Sequence, residues 1–291
     1  MMTLLQRESL QKESLQKESL QLENKAWIAP RLSDGLGNRL FQLAAAKKAS
    51  EQWNSPLVFA MNYVLPSDHG DFDSIFKLFP LIPKLYKAEP QLCIEHKGAS
   101  AFDYVPLPLA APCDQVLLKG SWIAAEYLPE TMEPNWKFAV PGSDELLERW
   151  NLSSKEQQEK TVFLHVRLGD YCVLPHHQVP LLGYYAKTMA AFPEDTRFLI
   201  FSDEPDKARF LPVFYNQACV FVSEKDELKS LYLMMMCSGG ITANSTFSYW
   251  GAYFGRERLG ERYKCYMPNR WMATDEKTED LYPSWATRID T

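Results

Sequence analysis

The chain has 291 residues, 46% hydrophobic and 23% charged, which is enough for two modest domains with real cores and excludes global disorder. Its net charge of -6 excludes a general nucleic-acid binder, which needs a basic field, while leaving room for a local basic site that takes one small phosphate ligand. No apolar run approaches the ~20 residues that span a bilayer, and the N-terminus lacks the apolar core of a secretory signal, so the expected location is cytoplasmic and no membrane span is expected.

Six cysteines (Cys93, Cys113, Cys172, Cys219, Cys237 and Cys265) show neither a CxxC pair nor metal-like spacing, so reduced thiols and no metal site are expected. Residues 6–20 repeat a Gln-Lys/Arg-Glu-Ser-Leu unit three times. Leucines five apart advance by about 140° on a helix and hold no common face, so residues 1–25 are expected to form a flexible tail.

Folded structure is expected from Trp27. Residues 27–33 read as a strand and Asp34-Gly35-Leu36-Gly37 as a turn. Residues 38–49 read as a helix with Asn38 at its cap. A strand, a glycine turn and a helix start bring backbone amides together, the arrangement that nucleotide-handling α/β proteins use near phosphate or sugar. The proline-rich stretch 80–112 is expected to be irregular, 115–119 a strand and 144–150 a helix. The polar run 153–160 suggests a domain boundary, dividing the chain into 26–150 and 151–291. Beyond it strands at 161–166, 197–201, 218–222 and 240–243 alternate with helices at 184–192, 226–237 and from Ser245. Such alternation predicts an α/β fold with a parallel sheet, whose sites lie at the C-terminal ends of its strands.

Three segments sit at such ends. His165-Val-Arg-Leu-Gly-Asp-Tyr171 follows an apolar strand, with His165 and Arg167 on one face. Arg167 suits a diphosphate through its planar fork of donors, and Gly169 and Asp170 suit a sharp turn. An Arg167–Asp170 structural salt bridge explains the same spacing. Asn244, Ser245 and Thr246 open a helix and offer an anion pocket, or else simple N-capping by Asn244 or Ser245. Phe247, Tyr249 and Trp250 read as core. Ser202-Asp203 can accept from a base or ribose, though turn initiation explains the pair equally well.

Together and in this order, Arg31 through Ala44, His165 through Tyr171, Phe201 through Glu204 and Asp226 through Trp250 resemble the α-1,2-fucosyltransferase family and its α-1,6- and protein O-fucosyltransferase relatives. Met267-Pro-Asn-Arg-Trp271 is similar to the family's C-terminal Pro-x-x-Trp. The resemblance implies a GT-B-like fold, two Rossmann-like domains facing a cleft, with an acceptor-side domain at 26–150 and a GDP-sugar-binding domain at 151–291. It implies a metal-independent, inverting transfer of L-fucose from GDP-β-L-fucose to a glycan hydroxyl in α-1,2 linkage, with no cofactor beyond the donor itself.

By position, the resemblance gives Arg167 the task of holding the β-phosphate. His165, Asn244, Ser245, Thr246 and Phe247 line that pocket, and Ser202 and Asp203, with Asp226 as rival, take the guanine or ribose side. Gly35, Gly37 and Asn38 approach from the N-terminal domain, and Asp170 is a candidate base or turn-fixing group. The chain departs from the family's pattern at Asp34, Arg39, Leu168, Ile123 and Ala125, so GDP-D-rhamnose or another GDP-6-deoxyhexose stands as an alternative donor. Three rival readings stand beside this one. The first is a metal-dependent transferase clamping its metal with Asp71-Phe72-Asp73. The second is a non-catalytic GDP-sugar or glycan-binding module. The third is an interaction protein using the repeat as a docking arm.

Overall fold

The computed structural model describes residues 25–291 apart from 68, 216 and 217, so the expected repeat tail lies outside the described residues. Contacts divide the chain after Asn135 into two units.

The first unit is built on strand β1 (Trp27–Pro30), whose four residues are all buried. After it come β2 (Phe59–Ala60), β3 (Lys84–Leu85), β4 (Leu92–Glu95) and β5 (Gln115–Lys119). A parallel sheet runs in the order β1-β5-β4, and β2 and β3 form a separate parallel pair. Strand β4 lies inside the stretch expected to be irregular. Its edge position asks for no alternating apolar pattern, and Leu92 and Cys93 are exposed.

Helix α1 (Leu36–Trp53) starts two residues before the expected position. Its cap is Gly35, so Asn38 sits within the first turn rather than at the cap. Asp34 carries the left-handed turn, with φ 64°, a conformation that an Asp side chain tolerates better than most. Arg39 is 2% exposed and gives its donors to three loop carbonyls: Asp34 at 2.9 Å, Leu65 at 2.9 Å and Phe72 at 3.1 Å. That buried fork ties Leu65 and Phe72 to the helix start. Gln42 closes the same turn, its Oε1 accepting from Ser33 N at 2.9 Å and its Nε2 donating to Ser33 Oγ at 3.1 Å.

The second unit opens with helices α2 (Trp136–Ala139) and α3 (Ser143–Arg149). The Trp136 ring lies 5.6 Å from Tyr232 and 5.2 Å from Phe254. This places 136–150 with the second unit, ahead of the expected junction at 150. A Ser154–Gln157 capping box then starts helix α4 (Lys155–Glu159), so the polar run is an ordered helix leading into the sheet.

Strands β6 (Thr161–Val166), β7 (Arg197–Ser202), β8 (Cys219–Phe221), β9 (Gly239–Ile241), β10 (Lys264–Pro268) and β11 (Thr287–Ile289) pair in parallel in the order β8-β7-β6-β9-β10-β11. All six residues of β6 are buried, as expected of a central strand covered on both faces. Helices α5 (Leu182–Met189), α6 (Glu227–Met236) and α7 (Thr246–Leu259) connect them. At Gly251 an added Cβ would fall 2.7 Å from Met234 Sδ, so this glycine sets the close approach of α7 to α6. The fold class is α/β with parallel sheets in both units. All six cysteines are free, and among the described residues no helix is long and apolar enough to cross a membrane.

Candidate functional site

The strand order of the second unit reverses direction at β6. The chain goes from β6 outward to β7 and β8, then returns to lay β9 on the other side of β6. In open parallel sheets the crevice beyond the C-terminal ends of two such strands is the default ligand site. His165-Val-Arg167 leaves β6 there, and Asn244-Ser245-Thr246 leaves β9 beside it.

Arg167 is the charged centre of this crevice. Its Nη2 lies 2.6 Å from Asp170 Oδ1 and its Nη1 lies 3.3 Å from Asp203 Oδ2, with about a quarter of its side chain exposed. Two carboxylates on different strand ends thus aim one guanidinium. The expected alternative of an Arg167–Asp170 bridge is present, and Asp203 adds a second anchor. Asp203 Oδ1 also accepts from Leu168 N at 2.9 Å and lies 3.5 Å from Ser202 Oγ, which itself accepts from Glu204 N. Asp203 therefore locks the β6 loop to the β7 loop, and Ser202 shapes the turn that follows. An added Cβ on Gly169 would fall 2.4 Å from Asp203 Oδ2. A side chain at this position would displace the Asp203 carboxylate from its bonds to Leu168 and Arg167.

The helix-start residues divide in role. Ser245 caps α7 without a capping bond from its own hydroxyl to the first-turn amides. These lie at the positive end of a 14-residue helix. Asn244 is 2% exposed and gives its amide hydrogens to His177 O at 3.1 Å and Trp271 O at 3.0 Å. It therefore ties together the β9 exit, the segment after β6 and the Met267–Trp271 motif, a positioning task that neither phosphate binding nor capping describes. Asp226, expected only as a rival for the guanine or ribose side, accepts from Leu228 N and Lys229 N as the N-cap of α6. Gly35, Gly37 and Asn38 lie in the first unit and belong to the α1 turn already described.

His165 is 4% exposed, its ring centroid lies 6.0 Å from that of Phe247, and its Nδ1 has no hydrogen-bond partner. Burial, reinforced by the Arg167 charge, lowers its pKa from 6.5 to about 3, so it stays neutral in the folded chain. The unfolded chain takes up that proton near pH 6.5 and the folded chain only near pH 3. Stability is therefore lost as pH falls through that window. The thermal midpoint of the wild type is expected to drop more steeply between pH 6.5 and pH 4 than that of His165→Gln; parallel slopes would remove His165 as the cause.

Tyr171 and His177 were not among the expected site residues. Their rings stack at 4.2 Å and 8°, His176 lies 4.2 Å from His177, and the Arg167 guanidinium carbon stands 5.4 Å from the Tyr171 ring centroid. Tyr171 Oη donates to Asn244 O at 3.1 Å, and burial pushes the phenol up to about 12. Burial and the neighbouring His176 lower the pKa of His177. A His-His pair soon after the strand-end motif, in a chain with five histidines, was the available signal. The ring contacts are local, within residues 167–177, and only the bonds of Tyr171 and His177 to Asn244 join distant segments.

In the first unit, Asp71 Oδ1 accepts from Asp73 N at 3.0 Å and its Oδ2 pairs with Lys77 Nζ at 2.7 Å. The Asp71-Phe72-Asp73 triplet thus starts a helical turn. Among the described residues no group of three or more His, Cys, Asp or Glu side chains is placed to hold a metal ion.

Comparison with known proteins places this geometry. Residues 145–278 match the family model described as "Glycosyl transferase family 11". The O-antigen biosynthesis glycosyltransferase WbnK of Escherichia coli is 31% identical over 141 residues, which cover 44% of this chain and 45% of WbnK, so the match spans less than half of that relative. An α-1,2-colitosyltransferase of Escherichia coli is 26% identical over 301 aligned positions, covering 90% of this chain and 99% of that protein. The crystal structure of the α-1,6-fucosyltransferase NodZ, an enzyme of Bradyrhizobium, with GDP superposes at a TM-score of 0.50 and 12% identity, over 78% of this chain and 92% of that one. This last likeness concerns the fold, which is that of the GT-B fucosyltransferases. The residues that match the glycosyl transferase family 11 model accordingly include the Arg167 crevice.

Proposed function

We propose that the chain transfers a 6-deoxyhexose, L-fucose first among them, from its GDP-activated form to a sugar hydroxyl with inversion. The observation that carries this reading is the doubly anchored Arg167 beside the start of α7 at the point where the strand order reverses. A departing nucleoside diphosphate gathers negative charge as the glycosidic bond breaks. A guanidinium already held by Asp170 and Asp203 meets that charge without having to reorganise, and the first-turn amides of α7 add their dipole. Transfer through an oxocarbenium-like state makes leaving-group stabilisation the main demand on the protein. Asp170, bound to Arg167, serves in this reading to aim the guanidinium rather than to take the acceptor proton.

One relative favours a second donor. The α-1,2-colitosyltransferase aligns along 90% of this chain, so a GDP-colitose donor and α-1,2 linkage fit within the same mechanism. Mass-spectrometric screening of GDP-sugars against a glycan panel tests the proposal. Consumption of GDP-fucose or GDP-colitose with a matching mass gain on the acceptor is expected. GDP binding without turnover of any GDP-sugar would make the chain a binding module, and turnover only with another nucleotide base would overturn the donor assignment.

A further inference from the structure

The second unit has another concave site at the opposite end of its sheet. Around the starts of β6, β7, β9 and β10 lies a cavity of about 570 Å³, within the range of organic-ligand pockets. Part of its wall is apolar, formed by Val162, Phe192, Pro193 and Leu259. Around it stand Lys155, Lys160, Arg258, Arg262 and Lys264, against two carboxylates, Glu159 and Asp195. That excess of positive charge is concentrated in one cavity of a chain whose net charge is -6.

Arg258 shows that the charge is uncompensated. Its half-buried guanidinium reaches neutral acceptors: Met235 O at 2.9 Å, Gln158 Oε1 at 3.2 Å, Met236 O at 2.8 Å and Cys237 O at 3.0 Å. Among the described residues no carboxylate pairs with Arg258, Arg262 or Lys264, whereas Lys155 and Lys160 pair with acids of the rim. Desolvating a guanidinium without a counter-charge is unfavourable, and an anion in the cavity relieves it. Several cations gathered from separate elements suit a multiply charged oxyanion, and the apolar wall suits an organic body attached to it.

We propose that this cavity binds an organic phosphate, its head between Arg262 and Lys264 beside Arg258 and its apolar body against Phe192 and Leu259. The same chemistry is offered by a soluble phosphate ester and by a phospholipid headgroup, and the test separates them. Titration calorimetry on the full chain would use dihexanoyl phosphatidic acid kept below its micelle concentration. Sedimentation would use phosphatidylcholine vesicles doped with phosphatidic acid.

Wild type is expected to bind the short-chain ester, and Arg262→Glu/Lys264→Glu to bind it at least about tenfold more weakly. Both positions are exposed, so an unchanged thermal midpoint is expected to accompany the loss. Lys264→Gln supplies a milder variant should the double reversal fold poorly. Arg167→Ala is expected to keep the binding, which separates this site from the crevice at the other strand ends. Co-sedimentation with doped vesicles identifies a lipid headgroup as ligand, and binding of the monomeric ester alone identifies a soluble phosphate. Absence of binding by wild type, full binding by the charge-reversed chains or loss of binding in Arg167→Ala would each overturn the proposal.

Discussion

Arg167→Ala is expected to lower kcat by about 10²–10³-fold, the loss found when one donor aimed at a developing oxyanion is removed. The fold should survive, because the ion pairs to Asp170 and Asp203 are each about a quarter exposed and such partly solvated pairs contribute roughly 0–1 kcal/mol. Arg167→Lys should recover only part of the rate. A single ammonium cannot reach both carboxylates with the paired geometry that aims the guanidinium. Steady-state kinetics with the consumed GDP-sugar, read beside a thermal melt, checks both halves. Turnover at the wild-type rate by Arg167→Ala would place the chemistry elsewhere.

The second large effect is on stability. Asn244→Ala removes the donors from two carbonyls, those of His177 and Trp271, at a position only 2% exposed. An orphaned buried acceptor costs about 1–3 kcal/mol, so a loss of roughly 2–4 kcal/mol is expected. In a unit of this size that lowers Tm by roughly 5–15 °C. A residue that merely contacted the nucleotide would behave differently: affinity for GDP would fall and Tm would not. Denaturation and GDP titration of the same variant therefore separate the structural role from the ligand role.

Much of this site was legible in the sequence because its parts are local. A strand that is apolar throughout, ended by a glycine turn, marks β6 and its exit loop; the short strand and polar helix start after Cys237 mark β9 and α7. Periodicity also located β7 and α6. Three kinds of feature escaped. Strands β2 and β3 are two residues long, and β4 is an exposed edge strand in a proline-rich stretch, so none carries an apolar pattern. The 136–150 segment joined the second unit because Trp136 meets rings more than ninety positions along the chain, which no local composition records. The distant partners of Asp203 and Asn244 were not legible either. Asp203 bonds to Leu168 and Asn244 to Trp271, so both groups fasten loops together in addition to any part they take in the site.

The position of β6 at the centre of the sheet has a consequence for how the chain is made. Its neighbours are β7, which begins at Arg197, and β9, which does not begin until Gly239. During synthesis one flank of a wholly buried strand therefore stays open until residue 241 has left the ribosome. Parallel pairing across such separations is slow, and an open apolar edge invites pairing with other chains. Chains stopped between Ser202 and Ser238 should collect in the insoluble fraction, and vectorial folding of the second unit should complete only after β9 is released.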